Sequence, residues 1–184
     1  MFKLHVDNDI HISLFQPRHA SQLYSLVNAN RDTLGEWLSF PGKTKSAEDS
    51  KVFIENSLTR FAEGNGFWAG IWYDGQLAGA IGYLYVDSAH RKTEIGYWLG
   101  TTFEGKGLVT KSCQGFIKHA FEEWDLNKVE INMAGENLKS RAVAERLGFK
   151  REGIIRDYEY LNGDFHDRFI YGMLRKEWNE LKGK

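Results

Sequence analysis

The chain has 184 residues with 42% hydrophobic content, which is enough to bury one full core and cramped for two. Its 24 basic and 25 acidic residues leave a formal net charge of −1, which excludes a global field that would attract nucleic acid or anionic lipid. A single cysteine and six histidines without ligand spacing exclude an internal disulfide and predict no metal. We therefore expect one domain over residues 1–184, cytoplasmic because no signal-peptide core or long apolar run is present, with no direct nucleic-acid partner and no membrane partner.

The first part of the chain predicts a strand, helices and an aromatic loop. A short strand is expected around Leu14, and Pro17 stands where a helix can begin. Segment 31–42 is aromatic and interrupted by glycine and proline, which predicts a short helix that ends in a loop. Trp37 and Phe40 in this segment either pack one helix on the next, which is the commoner role of such side chains, or line a substrate cleft.

A helix and a meander of strands come next. Ser46 with Asp49 three residues later matches a capping box, and apolar residues follow at helical spacing. After that helix the pattern changes to that of strands, and Asp74-Gly75 between two apolar runs predicts a hairpin. A polar segment then turns the chain into a further strand over residues 94–99.

The strand at 94–99 runs into a turn built on Gly105 and Gly107, and an amphipathic helix follows. The first amides of a helix have no partner within it, and glycines let an anion approach them, so a phosphate or pyrophosphate is the expected ligand. The Walker spacing is absent, and Thr110 stands where the dinucleotide motif G-x-G-x-x-G needs glycine. Cys113 belongs to the apolar face of the helix, which favours a buried structural thiol over a nucleophile.

The second half of the chain predicts a strand, a helix and a hairpin. A strand over 128–133 is followed by a helix over 138–147, and the order strand, helix, strand makes parallel pairing of 128–133 with 94–99 the expectation. Asn162-Gly163 joins two long strands in a second hairpin. The predicted architecture is a mixed α/β sheet flanked by helices.

Several polar residues have ordinary structural roles to weigh against chemical ones. Asn137 is placed to cap the helix at 138, and Ser140 would lie in its first turn. Glu159 shares a strand face with Asp157 by simple alternation, where a solvated carboxylate is the default. Lys106 is as readily a solvated turn residue as a phosphate contact.

Two motifs together carry a resemblance to a known family. The segment EGKGLV at 104–109, followed by NLKSRAVAERLGFKREG at 137–153, resembles the acyl-CoA core of the GNAT N-acetyltransferase superfamily. The segments DYEYLNGDFHD at 157–167 and RDTLGEWL at 31–38 resemble its Rim-type branch, which acetylates the N-termini of ribosomal proteins. The resemblance implies the GNAT fold, a mixed and mostly antiparallel sheet of about seven strands with a parallel central pair.

The resemblance also implies a site for acetyl-CoA as co-substrate, with no metal. The family turn has Gln or Arg, then Gly three residues later, then Gly or Ala two residues after that; here Glu104 and Val109 depart from it. The residues implied to hold acetyl-CoA are Trp98, Leu99, Gly105, Lys106, Gly107, Leu108, Val109, Thr110 and Asn137.

The catalytic residues implied by the resemblance are Ser140, which would protonate the leaving thiolate, and Glu159, which would accept the amine proton through water. The alternative proton donors are Tyr97, Tyr158 and Tyr160.

The expected activity is direct transfer of acetyl to a primary amine, most readily the α-amine of a protein N-terminus, with a ribosomal protein as the candidate. Two alternatives stay open: an enzyme that acetylates a small amine such as a polyamine, an aminoglycoside or an amino acid, and a non-catalytic acyl-CoA-binding module. A homodimer is a further expectation from the resemblance.

Overall fold

Eight strands form one mixed sheet in the order β1-β2-β3-β4-β5-β6-β8-β7, in a computed structural model that describes residues 2–183. The strands are β1 (Lys3–His5), β2 (Ile10–Leu14), β3 (Phe67–Tyr73), β4 (Gln76–Asp87), β5 (Lys92–Leu99), β6 (Lys128–Ala134), β7 (Lys150–Leu161) and β8 (Asp164–Leu174). The α-helices are α1 (Ala20–Ala29), α2 (Arg31–Gly35), α3 (Ala47–Ala62), α4 (Leu108–Glu122), α5 (Leu138–Arg146) and α6 (Arg175–Lys182). Within this part of the chain, no helix is both long enough and apolar enough to cross a membrane.

Helices cover both faces of the sheet, and each face has its own apolar cluster. On one face, α4 and α5 bury side chains such as Phe116 and Ala144 against the strands. On the other face, α1 and α3 bury Leu23 and Ile54 around Trp98. Each helix therefore contacts the sheet along one side only, which is why one stripe of large apolar side chains per helix is sufficient.

The local signals of the sequence specify the elements they predict. Ser46 Oγ accepts a hydrogen bond from the Asp49 amide at 3.2 Å, which confirms the capping box at the start of α3. Asp74-Gly75 and Asn162-Gly163 both form hairpin turns in which every residue has positive φ. The sheet has eight strands rather than about seven because β1, only three residues long, adds to its edge by pairing with β2.

The central strands β5 and β6 are parallel, as predicted, but they pair over a short stretch. The ladder joins Lys92–Glu94 to Lys128–Glu130. Beyond it β5 continues to Leu99 and β6 to Ala134, and the two strands no longer pair with each other. Where β5 leaves the ladder, Leu84 is an extra residue in the facing strand β4, and such a bulge bends the strands that carry it. The two strands therefore part and leave a V-shaped gap.

Strand β7 is less regular than its sequence pattern indicates. Its pairing with β8 shifts between Ile155 and Glu159, and Asp157 lies there with φ +47° while its amide bonds to the Asp167 carboxylate at 3.0 Å. The simple alternation from which a shared face of Asp157 and Glu159 was predicted is therefore interrupted at Asp157. An irregularity in pairing depends on the partner strand, so the sequence of β7 alone does not reveal it.

Candidate active site

The gap between β5 and β6 is where the candidate catalytic and cofactor residues meet. The N-cap of helix α4, Gly107, lies on one side of it, and the N-cap of helix α5, Asn137, lies on the other. Backbone groups on the facing edges of the parted strands have no ladder partner. Such edges can hydrogen-bond an extended, amide-containing molecule in the manner of an added strand.

The glycine turn presents open amides at the start of α4. Gly105 and Gly107 have φ +76° and +72°, and a Cβ at either would meet nothing within 4 Å. No side chain caps the helix, whose N-cap is Gly107 itself. In residues 2–183 the first-turn amides of α4 thus lack a side-chain acceptor, which suits them to a phosphate oxygen.

Side chains around the turn control its charge. Lys139 on α5 donates to the Glu104 carboxylate at 2.7 Å, so the acidic residue that departs from the family turn is neutralised by a cation. Lys106 Nζ lies 4.8 Å from the centre of the Tyr73 ring. Arg146 donates to Thr110 Oγ1 at 3.1 Å, which adds a second cation at the start of α4. The net field at the turn is therefore compatible with an anion.

The remaining candidate cofactor residues offer their backbones. Leu108 is buried, and Val109 and Leu99 pack against the same core cluster. Trp98 points to the opposite face of the sheet, where Phe40 packs on it with ring centres 5.8 Å apart. Phe40 thus has the packing role that was the first of its two alternatives.

Asn137 and Ser140 are organised by the start of α5. Asn137 Oδ1 accepts a hydrogen bond from the Ser140 amide at 3.1 Å, which confirms the predicted N-cap. Ser140 Oγ lies 2.9 Å from the Tyr97 hydroxyl, which reaches across the gap from β5. Burial raises the pKa of Tyr97, so its hydroxyl stays protonated and can donate to Ser140 or accept from it.

Of the three tyrosines considered as proton donors, the structure brings Tyr97 to Ser140. Tyr158 instead packs under the Arg168 guanidinium at 4.6 Å, and Tyr160 packs on the Phe165 ring at 4.9 Å. Both of these tyrosines are at least half exposed. The alternation of residues on β7 did not predict these contacts of Tyr158 and Tyr160.

The β7–β8 hairpin carries Glu159 and is called the acceptor side below, because the resemblance implies that Glu159 takes the amine proton. The sequence analysis missed two further polar residues here. Glu159 stands opposite His166, one of them, in the β7–β8 register. His166 Nδ1 is 3.5 Å from a carboxylate oxygen of Glu136, and the Trp37 ring packs edge-on against the imidazole with ring centres 6.0 Å apart. The available signal was position, because His166 lies within the quoted hairpin motif and Glu136 directly precedes Asn137.

The loop after α2 is fastened to the β7–β8 hairpin. The Asn162 side-chain amide donates to the carbonyl oxygens of Gly35 and Glu36, each at 3.1 Å. With the contact of Trp37 on His166, this clasp holds the aromatic loop against the β7–β8 hairpin. Trp37 thus packs the loop on the hairpin, and its place in a substrate cleft stays a prediction.

An ion pair lies near the point where the central strands part. Arg168 on β8 bonds to the Glu94 carboxylate on β5, although β6 lies between the two strands. Burial raises the pKa of Glu94, and the Arg168 charge opposes this shift. The pair ties the two sides of the gap together, and neither residue had a sequence signal.

Two chemistries find no support in the described residues. Among residues 2–183, no group of three or more His, Cys, Asp or Glu side chains is placed to hold a metal ion. Cys113 is fully buried and burial raises the pKa of its thiol, so the thiolate needed for nucleophilic attack is disfavoured.

Comparison with known proteins connects this geometry to a family. A family model described as an acetyltransferase (GNAT) domain matches residues 9–150. The Bacillus subtilis (strain 168) protein YdaF, named provisionally as a ribosomal N-acetyltransferase, is 44% identical over 99% of this chain and 100% of its own length. The ribosomal-protein-serine acetyltransferase of Escherichia coli (strain K12) is 26% identical over 92% of this chain and 94% of its own. A structure of RimL, a ribosomal L7/L12 α-N-protein acetyltransferase, in complex with coenzyme A superposes with a TM-score of 0.92 at 26% identity, covering 96% of this chain and 99% of that one.

Replacing Gly107 by valine should abolish acetyl-CoA binding measured by calorimetry, because a β-branched side chain is strained at φ +72° and would also obstruct the approach of a phosphate. Gly64→Val is the matched control, since Gly64 has φ +70°, equally open surroundings and a place near Trp124, beyond the far end of α4. Unchanged affinity in Gly107→Val, or equal loss in both variants, would remove the turn from the cofactor site.

Proposed function

The chain belongs to the GNAT acetyltransferase family and is an acetyl-CoA-dependent N-acetyltransferase, and on that premise we propose that its acceptor is the α-amine of a protein N-terminus, with ribosomal proteins as the class. The observation that supports this acceptor is that the chain is similar to YdaF along its whole length. The 44% identity with YdaF extends over 99% of the chain, so it includes the hairpin and loop on the acceptor side as well as the glycine turn. Because the family is one of enzymes, the alternative of a non-catalytic acyl-CoA-binding module is set aside.

Acetyl-CoA would be held along the gap. The pyrophosphate would bind the amides that follow Gly105 and Gly107, with Lys106 and Thr110 at its edge. The pantetheine arm would run beside the backbone of Trp98 and Leu99, and Asn137 would fix the start of α5 next to it. Leu108 and Val109 would serve through their amides, because their side chains anchor α4 in the core.

The chemistry asked of the protein is modest. The amine lone pair bonds to the thioester carbonyl carbon, the carbon–sulfur bond breaks, and the departing thiolate takes a proton from Ser140. A thiol has a pKa of about 8.5, so one hydroxyl donor is sufficient help for this leaving group. The Tyr97 hydroxyl, 2.9 Å from Ser140 Oγ, would orient that donor and share its proton.

Glu159 would take up the amine proton through a water molecule. An N-terminal α-amine, with a pKa of about 7.8, is already roughly a quarter neutral at pH 7.4, whereas a lysine is only about a thousandth neutral. A weak base linked by water is thus adequate for an α-amine. This difference supports a protein N-terminus over a lysine side chain.

Ser140→Ala and Glu159→Gln should each lower kcat by about 10- to 100-fold while acetyl-CoA affinity changes little, since each removes a proton-transfer group. Tyr97→Phe should have a smaller effect, because it removes only the partner of Ser140. Tyr171→Phe is the control, as the Tyr171 hydroxyl also bonds to α5, at Glu145, but lies on β8. Wild-type kcat in Ser140→Ala with a collapse in Tyr97→Phe would transfer the donor role to Tyr97.

A thiol-release screen with acetyl-CoA tests the acceptor. Short peptides with varied N-termini should exceed polyamines, aminoglycosides and free amino acids by at least about tenfold in kcat/KM, because differential transition-state binding sets such ratios. A small amine preferred over every peptide would contradict the proposed acceptor and favour the small-molecule alternative.

We further propose that residues 1–184 act as one cytoplasmic domain that forms a homodimer through β7; Met1 and Lys184 lie outside the described residues. Strand β7 is at the sheet edge, and it and β8 expose Ile154, Ile155, Tyr160 and Phe165 by 46–61%. Monomeric proteins seldom leave an apolar edge strand uncovered, and a second copy would cover it symmetrically.

The wild-type protein should therefore sediment as a dimer, and Ile155→Lys should sediment as a monomer, because a charge at that position cannot be buried without a partner. Val52→Lys on α3 is the matched control, since Val52 is exposed to a similar extent, 47% against 46% for Ile155. A monomeric wild type, or a dimer that persists in Ile155→Lys, would contradict this interface.

A further inference from the structure

One histidine on the acceptor side has the setting of a base. His166 on β8 is largely enclosed, with 19% of its side chain exposed. Its Nδ1 faces the Glu136 carboxylate at 3.5 Å, and Trp37 covers the ring. The imidazole therefore has one carboxylate beside it, that of Glu136, and Glu159 is its cross-strand neighbour in the β7–β8 register.

The backbone places this histidine close to the reacting groups. The Gly135 amide bonds to the Asp167 carbonyl at 3.0 Å, which continues the β6–β8 pairing to the end of β6. Glu136 follows at once, and Asn137, the cap of the helix that carries Ser140, comes next. The imidazole thus stands where β6 ends and α5 begins, beside the parted end of the gap.

The orientation of the ring leaves its second nitrogen available. The Glu136 carboxylate, 3.5 Å from Nδ1, favours the tautomer with the proton on that nitrogen. In residues 2–183, Nε2 receives no hydrogen bond. An imidazole held in this way is a better general base near neutral pH than a carboxylate, because its ordinary titration range is closer to the working pH.

We propose that His166, positioned by Glu136, is the final acceptor of the amine proton in the proposed acetyl transfer. After the amine nitrogen bonds to the carbonyl carbon, its extra proton passes through the water held by Glu159 to His166 Nε2, while the thiolate takes the Ser140 proton. His166 then releases its proton to solvent, and solvent returns a proton to Ser140. This step rests on the proposed function and gives the proton that Glu159 relays through water a final acceptor on the protein.

The neighbouring charges are consistent with this role. Glu136 lies next to the ring, and Glu159 is its cross-strand neighbour. Arg168, two residues further along β8, is turned to Glu94, and Asp167 accepts the Asp157 amide. Neither of these charged groups is free to replace His166 as the acceptor.

The pH dependence of kcat tests the proposal, with saturating acetyl-CoA and one N-terminal peptide throughout. His166→Gln should lower kcat at pH 7 by about 10- to 100-fold and change the dependence of kcat on pH, because it removes the proposed base. Glu136→Gln should lower kcat by a smaller factor, because the imidazole stays and loses only the carboxylate that positions it. The limb that belongs to the peptide amine is common to all variants, so the difference between profiles reports His166.

The matched control is His90→Gln, since His90 also pairs with a carboxylate, Asp87, at 2.9 Å, but on the exposed β4–β5 turn. Its profile should equal that of the wild type. Added imidazole should restore turnover to a His166→Ala variant, which separates a missing base from a disturbed fold. A wild-type profile in His166→Gln, or failure of imidazole to restore a folded His166→Ala that binds acetyl-CoA, would overturn the proposal.

Failure of the proposed function has a different outcome. If wild-type protein does not acetylate the peptide, the acceptor is wrong, and the same profiles are then measured with the amine that the thiol-release screen identifies. His166 must still account for the difference between wild type and variant with that amine.

Discussion

The parting of β5 and β6 after Glu94 and Glu130 is the constraint on which the rest of the structure depends. If β5 and β6 paired along their whole length, their facing backbone N–H and C=O groups would bond to each other, and no edge would be left to bind a pantetheine arm. Because the strands diverge, α4 and α5 can begin on opposite sides of one gap, and Tyr97 can reach Ser140 across it. The bulge at Leu84 and the Glu94–Arg168 pair lie where the divergence begins.

Charge is divided between the two sides of the gap in opposite senses. On the cofactor side the acidic Glu104 is matched by Lys139, so helix amides and nearby cations set the field. On the side of the β7–β8 hairpin, the Glu136 carboxylate lies beside the His166 imidazole, and Glu159 is the cross-strand neighbour of His166. The proposed sites for an anionic cofactor and an amine therefore have opposite charge, as each ligand requires.

Sequence predicts the parts of this protein that are local. The capping box at Ser46, the hairpin glycines and the Asn137 cap depend on residues within a few positions of one another, and each has its predicted geometry. The divergence of the central strands and the irregular pairing of β7 depend on partners far along the chain. The same holds for His166, whose chemistry comes from Glu136 and Trp37, and no periodicity signals such a meeting.

The clasp between Asn162 and the loop after α2 has a consequence for how selectivity can diverge. Asn162 bonds to the main-chain oxygens of Gly35 and Glu36, and a carbonyl is present whatever side chain its residue bears. Side chains at and beside Trp37 can therefore be exchanged in evolution while the loop keeps its anchor. The hydrogen bonds that hold the loop therefore do not depend on the side chains that the loop presents. Substitutions in the loop can change the acceptor while the β7–β8 hairpin keeps its sequence.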